Sequence, residues 1–193
     1  MAGIGVKKPY YAKYVNTAGI ISYTGGAIFA KAVEFSAKIE GGKSNNLYAD
    51  DAIVETDSGF GGGTISVTTD DLSQAVSAVI MGITATSLTV GAETVSELIY
   101  DDDAAAPDLG FGIIIPKKVS GVVKYRAIVF TKIKFSIPAE AAKTQGETIE
   151  WQTPVIEGTI MRDDSAKHAW KREATVDSEA EAEAYIKNIL DIA

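Results

Sequence analysis

With 193 residues, of which 46% are hydrophobic and 23% charged, the chain has the composition of one folded globular domain, residues 1–193, and not that of a disordered segment. Its formal charge of −8, from 26 acidic against 18 basic residues, opposes broad attraction to nucleic-acid phosphates and argues against a typical DNA-binding protein. The absence of cysteine excludes disulfide bonds, thiolate nucleophiles and cysteine-ligated zinc.

Neither the N-terminus nor the longest uncharged stretch is typical of an export or membrane segment. Two lysines, Lys7 and Lys8, lie near the start, but no apolar run follows them, so we expect no secretory signal and synthesis that ends in the cytoplasm. The 21 residues between Asp71 and Glu93 are uncharged, but seven of them are Ser, Thr or Gln and two are Gly. This polarity argues against a transmembrane helix.

Two stretches in the first half of the chain alternate apolar and polar residues with the period of a β-strand. The first covers residues 29–39. The second covers residues 64–69, where one face carries only hydroxyl-bearing side chains: Thr64, Ser66 and Thr68. Each stretch is predicted to be a half-buried strand, and the second has a polar but uncharged outer face.

A long loop is predicted between these two strands, over residues 43–60. It begins with turn residues and ends in a glycine cluster, Gly59-Phe60-Gly61-Gly62-Gly63. A phosphate-binding loop would need a Lys-Ser/Thr pair at the start of a helix after the glycines, whereas a strand follows here. We therefore interpret the cluster as a flexible glycine-rich turn.

A short helix is predicted after residue 69. Asp70 or Asp71 is a candidate for its N-cap, an apolar stripe continues through Ile80 and Met81, and Gly82 is a typical stop. A Thr- and Ser-rich stretch follows, and then an acidic run with a proline, which predicts an exposed loop. The spacing of the aspartates in this run does not match a calcium-binding pattern, which favours a solvated loop over a metal site. These aspartates are Asp101, Asp102, Asp103 and Asp108.

Three further strands are predicted over residues 109–115, 122–137 and 147–161. In the middle strand, six side chains are expected to share one face: Tyr125, Ala127, Val129, Ile133, Phe135 and Ile137. Ile128 and Phe130 make the other face apolar too, so either a helix or a neighbouring subunit must cover it. In the last strand, Pro154 lacks the N–H group of a central strand and indicates an edge or a bulge.

The chain ends in a predicted amphipathic helix. Ser178 and Glu181 form a capping box, and large or apolar residues then recur at helical spacing: Ala182, Tyr185, Ile186, Ile189 and Leu190. The order of strands, helix, strands and helix predicts an α+β fold, mainly β, with an antiparallel sheet.

No group of residues has the spacing of a catalytic site. His168 is the only histidine, and a general base would also need a nucleophile and an orienting partner. Adjacent aspartates on a strand point to opposite faces, so three pairs are unsuited to a catalytic dyad: Asp50-Asp51, Asp70-Asp71 and Asp163-Asp164. The sequence therefore predicts no catalytic residue, no cofactor and no metal, and a protein that is not an enzyme.

Four segments resemble, in their order and spacing, the phi13-type major tail proteins of long-tailed bacteriophages that infect Gram-positive bacteria. The first three are residues 47–51, 62–73 and 110–112. The fourth is an interrupted block within residues 125–161, which includes Gly146-Glu147-Thr148-Ile149-Glu150-Trp151. The acidic, alanine-rich helix at the end of the chain is similar to that family as well.

The resemblance implies a tail-tube fold, in which a β-sandwich or barrel carries a short flanking helix and a C-terminal amphipathic helix. It implies that copies of the chain form rings, with six subunits per ring in known tubes of this kind, and that the rings stack into a conduit for DNA ejection. The implied partners are further copies, the tape measure, tail terminator and distal tail proteins, and passing DNA that is not bound specifically. The implied location is the tail tube of the virion, assembled in the host cytoplasm and not in a membrane.

In tail-tube proteins a long loop at the position of residues 43–60 reaches toward the adjacent ring. The resemblance therefore implies that a neighbour buries the apolar residues of this loop and that its acidic residues fix the register. The residues concerned are Leu47, Tyr48, Ile53 and Val54, with Asp50 and Asp51. It also implies that the face formed by Thr64, Ser66 and Thr68 is turned toward the lumen or toward a neighbour.

Two other interpretations stay open at the level of sequence. One is a related tube of a contractile injection system, which a neighbouring sheath gene would distinguish. The other is a monomeric β-sandwich that binds carbohydrate, which would need an exposed platform of aromatic side chains. The clustered candidates for such a platform are Tyr10, Tyr11, Tyr14 and Tyr23.

Overall fold

The computed structural model describes residues 2–42, 45–49, 52–57, 59–139, 144 and 152–193. Within these ranges the chain forms thirteen β-strands and two α-helices, and every strand pair is antiparallel. The fold is therefore α+β and mainly β, as the order of the predicted elements indicates. No helix in the described ranges is both long enough and apolar enough to cross a membrane.

The elements have the following bounds in chain order. The strands before the first helix are β1 Ala2–Gly3, β2 Lys7–Thr17, β3 Ile20–Ile28, β4 Ala32–Gly41, β5 Asn45–Ala49, β6 Ala52–Asp57 and β7 Phe60–Thr69. The first helix is α1 Gln74–Met81. The later elements are β8 Ala85–Val90, β9 Glu93–Leu98, β10 Leu109–Val119, β11 Val122–Phe135, β12 Val155–Met161, β13 Lys171–Val176 and α2 Glu179–Leu190.

Nine of the strands form one sheet in the order β3-β2-β10-β11-β12-β7-β4, with β1 paired to β10 and β13 paired to β11. The sheet forks at β11, because the first half of this strand pairs with β13 and the second half pairs with β12. The sheet also curls, so that Phe35 of β4 stacks on Phe111 of β10 with ring centroids 6.4 Å apart. The hairpins β5–β6 and β8–β9 form separate two-stranded sheets.

A bulge in β11 reverses the direction in which its side chains point. Leu109 pairs with Ile133, but two residues later Phe111 pairs with Phe130, so β11 has one extra residue between the two pairs. The prediction that odd-numbered residues share one face along the whole strand was wrong for this reason. Beyond the bulge, Ile133 and Phe135 lie in the same core as Ile128 and Phe130, whereas Ala127 and Val129 lie in the other. Ile137 lies past the end of the strand and is 77% exposed.

The larger core fills the inside of the curled sheet. It is built from the inward side chains of five strands and from helix α1, and includes Phe29, Ile65, Val67, Ile80, Phe111, Ile113 and Phe130. Three phenylalanine rings meet there, because Phe29 packs edge-on to Phe111 at 5.6 Å and Phe135 packs against both. These contacts between aromatic side chains connect the end of the β2–β3 hairpin to β10 and to the forked strand β11.

The smaller core lies on the other side of the sheet, under α2. Ala182, Ile186 and Leu190 are fully buried there against β2, β10 and β11, so α2 covers the face of β11 that carries Ala127 and Val129. The opposite face, for which a helix or a neighbouring subunit was predicted as cover, lies instead in the larger core inside the curled sheet. Gly112 of β10 permits this close packing. A Cβ added at Gly112 would lie 2.4 Å from a methyl carbon of Ile186, and one at Gly110 would lie 2.6 Å from a methyl carbon of Leu190.

Both helices begin and end with capping groups. Ser178 and Glu181 form the predicted capping box of α2. The predicted cap of α1 was wrong, because Ser73 accepts the hydrogen bond from the backbone N–H of Val76. Asp70 instead accepts bonds from the N–H groups of Lys31 and Asp71, and Asp71 accepts one from that of Leu72. Gly82 ends α1 in the left-handed conformation with φ 70°, as predicted from its freedom to adopt that region.

Several strands differ from the predicted ones. The glycine cluster is not a loop, since Phe60 to Gly63 form the first part of β7. A Cβ at position 61 would lie 2.6 Å from the carbonyl oxygen of Gly41, which explains why residue 61 is a glycine. The Thr- and Ser-rich stretch forms the hairpin β8–β9. The last predicted strand begins only at Val155, directly after Pro154, and residues 147–151 lie outside the described ranges.

Candidate interaction surfaces

The predicted long loop forms a hairpin, β5–β6, that leaves the sheet between β4 and β7. Leu47 and Tyr48 lie on β5, and Ile53 and Val54 lie on β6. In the backbone register Leu47 pairs with Glu55 and Tyr48 pairs with Ile53, so Val54 is the extra residue of a bulge. The structure thus brings the four apolar candidates together in one hairpin, while Asp50 and Asp51 lie outside the described residues.

The hydroxyl-bearing residues of β7 lie on the outer face of the sheet. Thr64 is exposed and Ser66 and Thr68 are half-buried, whereas the alternate residues Ile65 and Val67 are fully buried. This confirms the predicted alternation. The paired residues on the neighbouring strands extend the same face and are mostly polar: Glu34, Ser36 and Lys38 on β4, and Val155, Glu157 and Thr159 on β12. The result is a polar surface of mixed charge across three strands.

Strand β4 is an open edge of the sheet. It pairs with β7 on one side and, in the described part of the chain, with no strand on the other. Phe35 is half-buried against the larger core, but Ala37 and Ile39, which face the same way, are exposed. Ile39 keeps 41% of its surface in contact with solvent. The inner face of β4 therefore extends beyond the core that it helps to build.

A groove of about 270 Å³ lies between β4 and the arm formed by β10, β11 and β13. Its floor is apolar and consists of Phe35, Ala37, Ile39, Ile115, Ile128 and Phe130. Arg126 and Lys171 also line it, and both bind the carboxylate of Glu173, at 2.6 Å and 2.5 Å. These two cations lower the pKa of Glu173. Two positive charges against one negative charge leave this end of the groove with a net positive charge.

The hairpin β8–β9 has an apolar face without a cover in the described structure. Leu88 pairs with Val95 and Val90 pairs with Glu93, so these four side chains lie on one face, and Glu97 follows on the same face opposite Thr86. Leu88, Val90 and Val95 are 46%, 57% and 42% exposed. The opposite face carries mainly small and hydroxyl-bearing residues: Ala85, Ser87, Thr89, Thr94 and Ser96.

A network of ion pairs ties the start of β2 to the first turns of α2. Lys7 binds Glu179 at 2.7 Å, and Lys8 binds Glu179 at 3.3 Å and Glu183 at 2.6 Å. Tyr10 donates a hydrogen bond to Glu183 at 2.6 Å. Burial and this hydrogen bond raise the pKa of Tyr10 to about 12. Sequence reasoning missed the network, because its partners lie more than 170 positions apart in the chain.

The acidic loop and the lone histidine do not form a common site. Asp101, Asp102 and Asp103 are exposed, and Asp108 binds Lys132 at 3.5 Å and Lys134 at 3.6 Å. Among the described residues, no group of three or more histidine, aspartate or glutamate side chains is arranged to hold a metal ion. His168 is exposed, and its ring nitrogen Nδ1 lies 3.3 Å from the carbonyl oxygen of Asp163.

The four tyrosines proposed as an aromatic platform do not form one. Tyr10, Tyr11 and Tyr23 are only 2%, 4% and 6% exposed and belong to the two cores. Tyr14 is half-buried, donates a hydrogen bond to Asp164 at 2.8 Å and has the ammonium group of Lys132 over its ring. A sugar ring therefore has no access to the faces of this cluster.

Comparison with known proteins adds no relative to this description. No protein-family model matches the chain, and no curated protein matches its sequence. The open edge of β4, the groove beside it and the two protruding hairpins are thus the features from which a function has to be inferred.

Proposed function

We propose that this protein is a non-enzymatic structural subunit that assembles with copies of itself into rings, and that the rings stack into a tube of the kind found in phage tails. Its work in this proposal is mechanical, because the tube is a conduit for DNA and catalyses nothing. The observation that carries the proposal is the open edge strand β4, whose inner apolar face continues past the core into solvent.

An open edge favours association with another chain. Unpaired N–H and C=O groups along an edge strand are a template for a further strand, and monomeric proteins commonly shield such edges. Here β4 ends one side of the sheet and β3 ends the other, and both carry exposed apolar residues, among them Ile39 on β4 and Ile20 and Ile28 on β3. When sheets of neighbouring subunits join edge to edge around a closed ring, every edge is covered.

The outer face of β4, β7 and β12 suits the wall of a wet channel. It is polar, carries charges of both signs and includes Thr64, Ser66 and Thr68. A wall without a dense row of lysines or arginines makes few strong phosphate contacts, and such contacts would hold DNA that has to slide through. The net charge of −8 supports the same interpretation.

The proposal is tested by observing what the purified protein forms. We expect negative-stain electron micrographs of concentrated protein to contain rings, ring stacks or hollow filaments, and light scattering after size exclusion to give masses that are multiples of the subunit and grow with concentration. Uniform monomeric particles up to the solubility limit, with or without a tail-tip initiator complex, would contradict it.

A further inference from the structure

The hairpin β8–β9 has the properties of an interaction element. Leu88, Val90 and Val95 form a continuous apolar face that is about half exposed. The only charged residues in the hairpin are Glu93 and Glu97, and both lie on that same face. The face is therefore apolar in its centre and negative at its margin, which is the arrangement of a buried interface core with a charged rim.

The groove beside β4 has the complementary arrangement. Its floor is apolar, with Ile39 and Ile128 among the residues that line it, and one end carries Arg126 and Lys171. Because Glu173 is the one carboxylate that both cations bind in the described part of the chain, a second carboxylate at this end would complete the charge balance. An apolar face with a negative rim matches this groove in both hydrophobicity and charge.

The hairpin is too short to reach the Arg126 end of the groove in its own subunit. The chain that leaves the hairpin, at Tyr100 and Asp101, lines a cavity together with Phe135 at the end of β11, whereas the groove is lined by Arg126 near the start of β11. Nine residues of strand separate these positions, or about 30 Å at 3.3 Å per residue. The hairpin strands have six residues each, or about 20 Å.

We infer that the hairpin β8–β9 of one copy docks into the groove beside β4 of a second copy. The face of Leu88, Val90 and Val95 packs on the floor of the groove, and Glu93 and Glu97 approach Arg126 and Lys171. This inference rests on the proposed function, since it names the partner surfaces through which copies of the chain meet.

The contact is head-to-tail and not two-fold symmetric. Each subunit presents its hairpin near the end of β11 and its groove beside residues 126–130 of that strand, so a subunit that has used its hairpin still offers a groove. A heterologous contact of this kind either closes into a ring or continues as an open filament, and it does not stop at a dimer. The contact thus supplies a direction of growth.

Two pairs of variants test the contact, each with a control on the opposite face of the same strand. Val95→Lys places a charge on the hairpin's apolar face, and Ser96→Lys places the same charge on its other face. Ile39→Lys blocks the groove, and Glu34→Lys is its control on the outer face of β4, away from the residues that line the groove. We expect Val95→Lys and Ile39→Lys to raise the concentration at which oligomers appear at least about tenfold in size exclusion with light scattering. The two controls should assemble at or near the concentration of the parent.

Mixing the variants gives a result that a merely destabilised fold would not. A Val95→Lys copy keeps its groove and an Ile39→Lys copy keeps its hairpin, so the two should form a one-to-one dimer that grows no further, although each alone is monomeric. Circular dichroism and thermal melting establish that each variant is folded. If Val95→Lys is not folded, Glu93→Lys with Glu97→Lys replaces it on the hairpin side and should likewise weaken assembly at low salt. If Ile39→Lys is not folded, Ala37→Lys, at another exposed residue of the groove, replaces it.

The possible outcomes distinguish failure of the docking contact from failure of the proposed function. If the parent forms rings or tubes and the hairpin and groove variants assemble at the same concentration as the parent, the docking contact is wrong and the tube proposal stands. If the mixed variants give no dimer, the pairing of these two surfaces is likewise overturned. A parent that is monomeric at its solubility limit overturns both the contact and the tube.

Discussion

The phenol of Tyr23 donates a hydrogen bond of 2.8 Å to the carbonyl oxygen of Thr131, and both residues are buried. Thr131 lies in the bulge at which β11 passes from one arm of the sheet to the other. Burial raises the pKa of Tyr23 well above its usual value. One side chain of the edge strand β3 therefore ties that edge to the fork of the sheet.

Replacement of Tyr23 by phenylalanine should destabilise the subunit by about 1–3 kcal/mol, because it leaves the buried carbonyl oxygen of Thr131 without this donor. Urea denaturation followed by circular dichroism measures the change. Tyr125→Phe is the matched control, since Tyr125 is half-buried and its hydroxyl has no hydrogen-bond partner in the described part of the chain. Equal stability of the two variants would mean that the Tyr23 bond contributes nothing.

Gly112→Ala should lower the free energy of unfolding by about 1–3 kcal/mol, since the new methyl group would lie 2.4 Å from Ile186 and force α2 away from the sheet. Gly41→Ala is the control, because nothing lies within 4 Å of a Cβ at that position. Combining Gly112→Ala with Ile186→Ala should cost less than the sum of the two single changes. Additive costs in urea denaturation would indicate that the two positions do not contact each other.

The ion pairs between β2 and α2 should make stability depend on pH at both ends of the range. Hydrogen bonds from Lys7 and Lys8 lower the pKa of Glu179 and Glu183, so their contribution is present above the unfolded pKa of about 4.3 and is lost as pH falls through the lowered values. Tyr10 acts in the opposite sense. Its pKa of about 12 lies above the unfolded value of about 10, so its contribution is lost as pH rises through this interval.

Glu179→Gln with Glu183→Gln should therefore reduce the acid dependence. The difference in unfolding free energy between parent and double variant should be largest near neutral pH and shrink below about pH 4. Chemical denaturation at a series of pH values measures it, with Glu34→Gln on the outer face of β4 as the control. A difference that stays constant down to pH 2 would show that the ion pairs contribute no pH-dependent stability.

Substitutions of Leu47 and Tyr48 test the predicted contact between stacked rings of subunits. Replacing both by serine should preserve the circular dichroism spectrum and cooperative melting but abolish filaments, because the hairpin β5–β6 is predicted to be covered by a neighbour. Asn46→Ser on the same strand is the control. A variant that melts much earlier yet polymerises on cooling would assign these residues to the subunit's own core.

Binding to DNA should be weak at physiological salt, in keeping with the net charge of −8 and with ordinary non-specific attraction. A gel-shift titration with random-sequence duplex measures it, and raising the salt should weaken the binding further. Submicromolar affinity would contradict a passive conduit.

The elements that the sequence predicts well have one face in the core and one in solvent. Residues 64–69 alternate, and the structure buries Ile65 and Val67 while it exposes Thr64. The capping box of α2 is also local, since Ser178 and Glu181 recognise each other within one turn. In both cases the residues that determine the structure are neighbours in the chain, so the pattern is visible without the fold.

The elements that the sequence does not predict are covered on both faces or on neither. In β2 the residues from Pro9 to Ala12 are all buried, because Tyr11 faces the larger core and Tyr10 and Ala12 face α2, which removes the alternation. In β8 every residue is exposed, so no buried face selects a period. The bulge in β11 depends on pairing with β10, and no local signal marks it.

For the candidate surfaces, the sequence indicates that the segment 43–60 leaves the sheet, but it does not indicate the groove. Ile39 and Arg126 belong to strands far apart in the chain, and only the curl of the sheet brings them to one groove. The sequence does not reveal the exposed face of β8–β9 either, because Leu88 and Val95 become neighbours only through the register of the hairpin.

The pairing of β2 with β10 also sets the order of events during synthesis. Tyr11 pairs with Phe111, so the first long strand waits for a partner that leaves the ribosome about one hundred residues later, or roughly 5–20 s at 5–20 residues per second. Contacts between residues so distant in sequence make folding slow. The docking groove, which needs β4, β10, β11 and β13 together, forms later still. A nascent chain thus lacks the surface that receives another copy in the proposed contact, so the proposed assembly would grow only from complete subunits.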